Sequence, residues 1–438
     1  MKQRKKQWLL LLPVLLLVVL AVFSSCRTTS NEIVLEFGMF TGSYWDVANA
    51  DSFAIIDKAI DLFEASHPNV KIHYYSGISK EDYSEWFSRK LLANETPDVF
   101  MVLGSDFEQF ASMGILKNLD ELMAADSDFD SSRYFSSSFA SGQFDGSQYA
   151  LPYETVPTLM FVNQTLLNKE GIVVPDEDWT WSDLYNICRK VTRDIDGDGM
   201  LDQFGTYNYS WSDAIYSNDA ALFSPDGSTS YFGDERVVES VKFIHQLNEL
   251  NHGQTVTQED FNAGKVAFMP LTFAEYRTYK TYPYKIKRYM NFQWDCITMP
   301  AGYQGSNCSR VDTLVMGISS NTKYEDLAWE FLKLLTYDEE MQMEIFRASQ
   351  GASVLKSVTA SQEAAQIVQS QMEEGDRVIS GTLLAQVIEN GSIQPQFKKY
   401  SQAMSLANSE INNILTQDLA IDSRLKILQR SINTFLQQ

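Results

Sequence analysis

An α/β fold of more than one lobe is what this chain predicts, on three observations. Residues 33–74 read as strand, helix and strand, the order of a right-handed parallel unit. At 438 residues the chain exceeds the size at which one hydrophobic core keeps growing. Residues 149–171, YALPYETVPTLMFVNQTLLNKEG, carry Pro152 and Pro157 just before the apolar run Leu159, Met160, Phe161 and Val162. Proline fixes φ and donates no backbone hydrogen, so such a stretch suits an edge or crossover connection leading into a new lobe.

The chain begins with a targeting segment. Lys2, Arg4, Lys5 and Lys6 precede an apolar run over residues 8–23, too short for a span of about twenty residues and suited to a signal peptide. Ser24 and Ser25 lead to Cys26, which resembles the lipidated cysteine of bacterial lipoproteins, although Phe23 stands where that pattern prefers Leu. Residues 1–25 are then the signal and 26–31 a polar tether. An uncleaved single-span anchor is the alternative, and either one puts the remainder outside the cytoplasm on a membrane surface.

Loss of those four cations takes the formal charge from −22 to −26. A chain this acidic, with no basic stripe, is repelled by phosphate backbones, so no nucleic-acid partner is expected. Apolar residues at 44% and aromatics at 13% supply packed cores and exclude a mainly disordered chain. Besides Cys26 there are Cys188, Cys296 and Cys308, with no C-x-x-C pair, which indicates neither a disulfide framework nor a zinc knuckle. Pairing of Cys296 with Cys308 is open in an exported compartment.

Ile33, Leu35 and Phe37 alternate as a strand that ends in GMFTGSYWD. Asp51 and Ser52 can cap a helix through Ile55, Ile56, Ala59, Ile60 and Phe63, which His67 and Pro68 stop. Val70, Ile72 and Tyr74 form a second strand, residues 83–92 a helix, and residues 99–103 a third strand ending at Gly104, Ser105 and Asp106. Ligands of open parallel sheets collect at the carboxyl ends of strands, which nominates residues 41–46 and 104–106.

TPDVFMVLGSDFEQFASMGILKNLDELM, SQYALPYETVPTLMFVNQTLLNKEGI, DWTWSDLYNICRKVT, FNAGKVAFMPLTFAEY and DTLVMGISSNTKYEDLAWEFLKLLT, in that order and spacing, resemble the solute-binding proteins of bacterial ABC importers, in the maltose-binding-like branch. The resemblance spans nearly all of the chain after Cys26. It implies a type II, periplasmic-binding-protein-like fold, with two lobes each built on a mainly parallel sheet and a cleft between them. The expected lobes are 32–150 with 310–358, and 151–309 with 359–438. The implied role is a monomeric receptor that takes a carbohydrate to permease subunits driven by a cytoplasmic ATPase.

The later elements read independently in the same way. Thr180 and Asp183 form a capping box opening a helix through Leu184, Ile187, Cys188 and Val191. Val237, Val238, Val241, Ile244 and Leu247 give another helical face, and Leu327, Ala328, Phe331, Leu332 and Leu335 a third. Ala267 with Phe268, and Leu314 to Ile318, are short buried strands, and residues 400–435 close the chain as helix. DIDGDGMLDQFG places Asp194, Asp196, Asp198, the Met200 carbonyl and Asp202 at the first five ligand positions of a calcium loop, with Gly199 at its turn. Gly205 stands where the bidentate Glu belongs, so a loop-bracing calcium and a plain Asp/Gly turn both stand. No cofactor is otherwise required.

G-x-S-x-G, H-E-x-x-H and phosphate-loop patterns are absent, and His67, His73, His245 and His252 are scattered, so no enzyme is expected. Sugars present C–H faces to aromatic rings and hydroxyls to carboxylates, amides and arginine. That filter, applied at strand ends and crossovers, selects Tyr44, Trp45, Asp46, Ser105, Asp106, Tyr153 and Glu154. Farther on it selects Tyr209, Trp211, Asp213, Phe273, Glu275, Tyr276, Arg310 and Asp312. QPQFKKY, with Gln396, Phe397 and Tyr400, resembles the family's late aromatic contribution. Glu154, Phe273 and Trp45 are the foremost of these. RASQGASVL lacks a proline usual in relatives, and no contact is expected there. A surface glycoside hydrolase, an adhesion or scaffold lipoprotein, and a receptor for a non-sugar solute are the alternatives.

Overall fold

The computed structural model describes residues 32–47, 52–281, 292–370, 379–395 and 397–438. The signal segment, Cys26, the tether, Asp51 and Gln396 lie outside them.

The fold is a two-lobe α/β fold whose lobes share one continuous sheet. In chain order the strands are β1 (Ile33–Gly38), β2 (Val70–Tyr74), β3 (Val99–Val102), the hairpin β4 (Gln143–Phe144) and β5 (Ser147–Gln148), and β6 (Ala150–Asn163). They continue with β7 (Phe204–Thr206), β8 (Val266–Thr272), β9 (Trp294–Ile297), β10 (Arg310–Ile318) and β11 (Ser392–Ile393). The principal sheet runs β2-β1-β3-β10-β6-β8-β7, with β11 added on β10 and β9 on β6. β1 lies parallel to both β2 and β3, as the strand–helix–strand order predicts. The crossover strands β6 and β10 run antiparallel to each other.

The stretch that the prolines mark is β6, and every one of its residues is buried. Residues 150–157 pair with β10 in the first lobe, while residues 158–163 pass between β8 and β9 in the second. The register slips between Leu314 and Val315, which oppose Glu154 and Pro152, so Tyr153 is the extra residue of a bulge. Its carbonyl accepts from Gln342 Nε2 at 3.1 Å, which satisfies the group that the bulge frees.

Of the five packed regions among the described residues, three are large. Leu35, Phe37, Ile56, Met101, Leu314 and Phe331 belong to the first-lobe core, and Val162, Trp181, Val241, Phe268, Ile411 and Ile432 to the second. The third lies beneath the crossover and mixes Phe161, Phe273, Tyr276 and Trp294 with Phe346 and Ala352. The C-terminal helical region divides into Tyr400–Thr416 and Ile421–Leu436, which pack together on the second lobe. The Thr180 and Asp183 capping box forms as the spacing predicts. Cys188, Cys296 and Cys308 are buried, and no disulfide joins Cys296 to Cys308; the Cys308 thiol faces Ser392 Oγ at 3.3 Å.

Candidate functional site

A cavity of about 430 Å³ opens where the loop after β1, the start of helix Gly104–Ser112, the start of β10 and residues 394–395 and 397–401 converge. Eight nominated residues line it: Tyr44, Trp45, Asp46, Ser105, Arg310, Asp312, Phe397 and Tyr400. They come from four separate parts of the chain.

The ring platform is built by local chemistry. β1 ends at Gly38, and the following loop is tied to the end of β2 by Thr41, whose N–H and hydroxyl both donate to the Ile78 carbonyl. Tyr44 and Trp45 then meet edge to face, centroids 4.7 Å apart at 80°. The Tyr44 hydroxyl accepts from the Gly104 N–H at 3.3 Å. Burial pushes its pKa up to about 12, with Asp312, Asp106 and Asp46 adding to the rise, so it stays protonated at neutral pH. Asp46 sits at φ 59°, the left-handed region that Asp tolerates better than most residues. Lys80 holds that turn, donating to the Tyr44 carbonyl and to Asp46 Oδ1, each at 2.6 Å.

Opposite stands the charged pair of β10. Arg310 and Asp312 are two residues apart on a strand and so share a face. Arg310 Nε lies 2.9 Å from Asp312 Oδ2. Burial raises the Asp312 pKa, and Arg310 partly offsets it. The Arg310 pKa is itself raised: burial acts against its charge, and Asp312, Tyr216 and Asp213 outweigh it. Phe397 and Tyr400 close this side at right angles, 5.6 Å apart. The Phe397 ring lies on Gly227, where a Cβ would come within 2.4 Å of it.

The other nominated residues do not line this cavity. Asp106 turns away to accept from the Ser84 hydroxyl at 2.5 Å. Asp213 and Glu275 are capping-box acids: Asp213 accepts from Ser210 N–H at 3.0 Å, and Glu275 from Thr272 N–H at 2.8 Å. Tyr209 and Trp211 belong to the second-lobe core, and Phe273 and Tyr276 to the packing beneath the crossover. Tyr153 packs in the first-lobe core. Glu154 lies behind the platform rather than on the cleft floor, its Oε1 accepting from Gly351 N–H at 2.5 Å.

Lys80, Thr272, Gln394 and Lys398 also line the cavity without having been nominated. Lys80 was legible: β2 is parallel to β1, so the strand-end rule extended to the residues after Tyr74 reaches it.

In the acidic loop, Asp194, Asp196 and Asp202 bring carboxylate oxygens within 4.8 Å of one another. Asp194 accepts from Gly197 and Gly199 N–H, while Asp198 accepts from Met200 N–H at 2.8 Å. Gly205 departs from the calcium-loop pattern for a packing reason. It lies in β7 against Cys188, and a Cβ there would fall 2.4 Å from the Cys188 Cβ.

Residues 48–342 match the model of the family described as bacterial extracellular solute-binding protein. The chain belongs to that family. A lipoprotein of Streptomyces antibioticus, named only for lying 5′ of oleD, is 23% identical over 351 residues, 74% of this chain and 72% of its own. Among solved structures, the cyclic α-maltosyl-1,6-maltose binding protein of Arthrobacter globiformis aligns with TM-score 0.75 at 15% identity, covering 92% of this chain and 98% of that one. The sugar-binding protein MalE of Xanthomonas citri also gives TM-score 0.75, at 13% identity over 92% and 97%. The Listeria monocytogenes substrate-binding protein solved with cycloalternan gives 0.68, at 17% identity over 92% and 99%. These likenesses establish the solute-binding fold, in which the cleft described above lies between the lobes.

Proposed function

We propose that the chain is a lipid-anchored extracellular receptor that captures a sugar or oligosaccharide and hands it to the membrane permease of an ABC importer, as a monomer and without chemical turnover. The observation that carries this reading is the cavity itself. Tyr44 with Trp45 on one side and Phe397 with Tyr400 on the other offer flat faces to sugar C–H groups, and Arg310, Asp312 and Asp46 offer fixed partners to hydroxyls. The sugar ligands in the names of the structural relatives support the same class. The lobes would be 32–150 with 310–358 and 151–309 with 359–438, closing about β6 and β10.

The test is a thermal-shift screen of the mature chain against mono- and oligosaccharides, amino acids and peptides, with and without calcium. A ligand at one hundred times its Kd adds about 2.7 kcal/mol to stability, which a melting curve reads directly. A sugar that raises Tm supports the reading, and a response confined to amino acids or peptides replaces it with a receptor for that solute. Calcium alone raising Tm assigns a stabilising ion to the loop around Asp194 and Asp202. Appearance of cleaved sugar would favour a glycoside hydrolase, whose chemistry needs a carboxylate pair about 5–10 Å apart.

A further inference from the structure

Glu154 and Arg277 meet at one residue beneath the crossover, Gly351. Gly351 donates its N–H to Glu154 Oε1 at 2.5 Å, and its carbonyl accepts from Arg277 Nη1 at 3.1 Å. Arg277 is 2% exposed, and its guanidinium also donates to the Phe346 carbonyl at 2.6 Å and the Arg347 carbonyl at 3.4 Å. Those carbonyls are the open end of helix Glu339–Ala348, whose Met341 and Ile345 sit in the first-lobe core. Arg277 itself rides on helix Phe273–Thr281, which leaves β8 in the second lobe. A cation of one lobe therefore caps a helix of the other.

Glu154 completes the joint from the strand that links the lobes. Its carboxylate accepts from the Gly351 amide, which the Ser349 hydroxyl also meets at 3.3 Å. Trp45 in turn packs against both the first-lobe core and the packing beneath the crossover, and also lines the cleft. Only glycine fits at 351, because a Cβ there would lie 2.4 Å from both Cγ and Oε1 of Glu154. The buried carboxylate and guanidinium thus balance each other across a single residue. Removal of either leaves the other uncompensated.

We propose that Glu154, Gly351 and Arg277 form a pin that couples occupancy of the Tyr44–Trp45 platform to the relative placement of the two lobes. A ring stacked on Trp45 presses the indole on the packing beneath the crossover, which holds Phe346 and Ala352 on either side of Gly351. Displacement of that packing moves Gly351 against Glu154, and with it the carbonyls that Arg277 grips from the second lobe. These are positioning residues: none of the three lines the cleft. The inference rests on the reading of the cleft as the ligand site and adds how its occupancy reaches the hinge.

The experiment is a double-mutant cycle on the mature chain. Kd for the sugar that raises Tm is measured by calorimetry for wild type, Trp45→Phe, Glu154→Gln and the double variant. The radius of gyration is measured by small-angle scattering with and without that sugar. Glu154→Gln keeps an acceptor for Gly351 but removes the charge, and it should weaken binding on the order of tenfold, a usual size for coupling between sites. The expected cycle is non-additive, with reduced ligand-induced compaction in Glu154→Gln. Additive losses with wild-type compaction overturn the pin. Arg277→Lys keeps the charge and reads the same joint from the other lobe, should Glu154→Gln not fold. Its ligand-free radius should differ from wild type, and an unchanged radius overturns the proposal. If wild type responds to no sugar, the carbohydrate reading fails, while the ligand-free scattering of Arg277→Lys still decides the pin.

Discussion

Residues 150–157 and 158–163 are two halves of one strand with opposite designs. The second half is regular and apolar between Thr158 and Asn163, flanked by strands on both edges, with the Phe161 ring tilted 4.2 Å from Trp294 and edge-on 5.0 Å from Phe261. The first half holds both prolines, a bulge at Tyr153 and the polar pair Glu154 and Thr155, and away from β10 its backbone bonds to Gly142 and Ala352 at isolated points. Regular pairing makes a rigid floor for one lobe. Irregular pairing, with buried side-chain hydrogen bonds in place of ladder bonds, leaves a place where a strand can bend and where cleft residues gain support from behind.

The largest effect that would sharpen this contrast is Phe161→Ala. It removes a fully buried ring between two aromatic neighbours, for a loss of about 3–5 kcal/mol in urea unfolding. Ligand affinity of the molecules that remain folded should stay near wild type, because Phe161 does not itself line the cleft. A loss below 1 kcal/mol would mean that the second half is no more rigid than the first.

Thr155→Val is the matching change in the first half, and its expected cost is smaller. The Thr155 hydroxyl meets Ser138 Oγ at 3.1 Å, Thr313 Oγ1 at 3.1 Å and the Asp312 carbonyl at 3.3 Å. Its removal leaves buried partners short of a bond, worth about 1–3 kcal/mol. Thr313 and Asp312 line the cleft, so ligand affinity should fall here as well. Unfolding and calorimetry on the same variant would break the comparison if stability fell and binding did not.

Much of this contrast was legible in the sequence. Alternation and capping signals located β1, β2, β3 and the helix after Thr180, and the two prolines located the crossover. The strand-end rule reached Tyr44, Trp45, Asp46 and Ser105 because backbone direction alone decides where a parallel strand's end faces. The rule that aromatics and acids near a crossover meet sugar selected Asp213, Glu275, Phe273 and Glu154, which do not line the cavity, for two reasons. Acids at the third helical position after Ser or Thr serve as caps, and S-x-x-D at 210–213 and T-x-x-E at 272–275 follow that spacing. Whether an aromatic faces a cleft or a core depends on which lobe lies over it, and that partner is distant in sequence. Phe273 meets Phe346, and Glu154 meets Gly351.

Trp45→Ala is expected to cost less stability than Thr155→Val, since the indole is half-buried at a loop, while sugar affinity drops about tenfold through loss of one stacking face. An unchanged Kd would remove the platform from the site and leave the Arg310 side as the binding wall.

The smallest effect is a pH response that separates the crossover from the surface. Burial raises the pKa of Glu154 and of Asp312 above their ordinary 4.5 and 3.8. Stability contributed by such groups is fully present below the unfolded pKa and fades as pH rises through the folded value, so mild acidification does not weaken the fold through them. Asp126 has the opposite sign. Its bond from Lys333 first, which outweighs the opposing burial, and then that from the Trp329 indole hold its pKa below 3.8. Its stabilisation is present above 3.8 and is lost as pH falls through its lower folded value. The urea midpoint should therefore not fall between pH 7 and 5 and should decline below about pH 4, where acids of the Asp126 kind protonate. Sugar affinity should decline earlier, as Asp312 takes up a proton and ceases to balance Arg310 in the cleft. A midpoint that dropped steadily from pH 7 to 5, in step with affinity, would mean that ionised Glu154 and Asp312 stabilise the fold as the surface carboxylates do, and the difference between bent and regular halves would lose its electrostatic part.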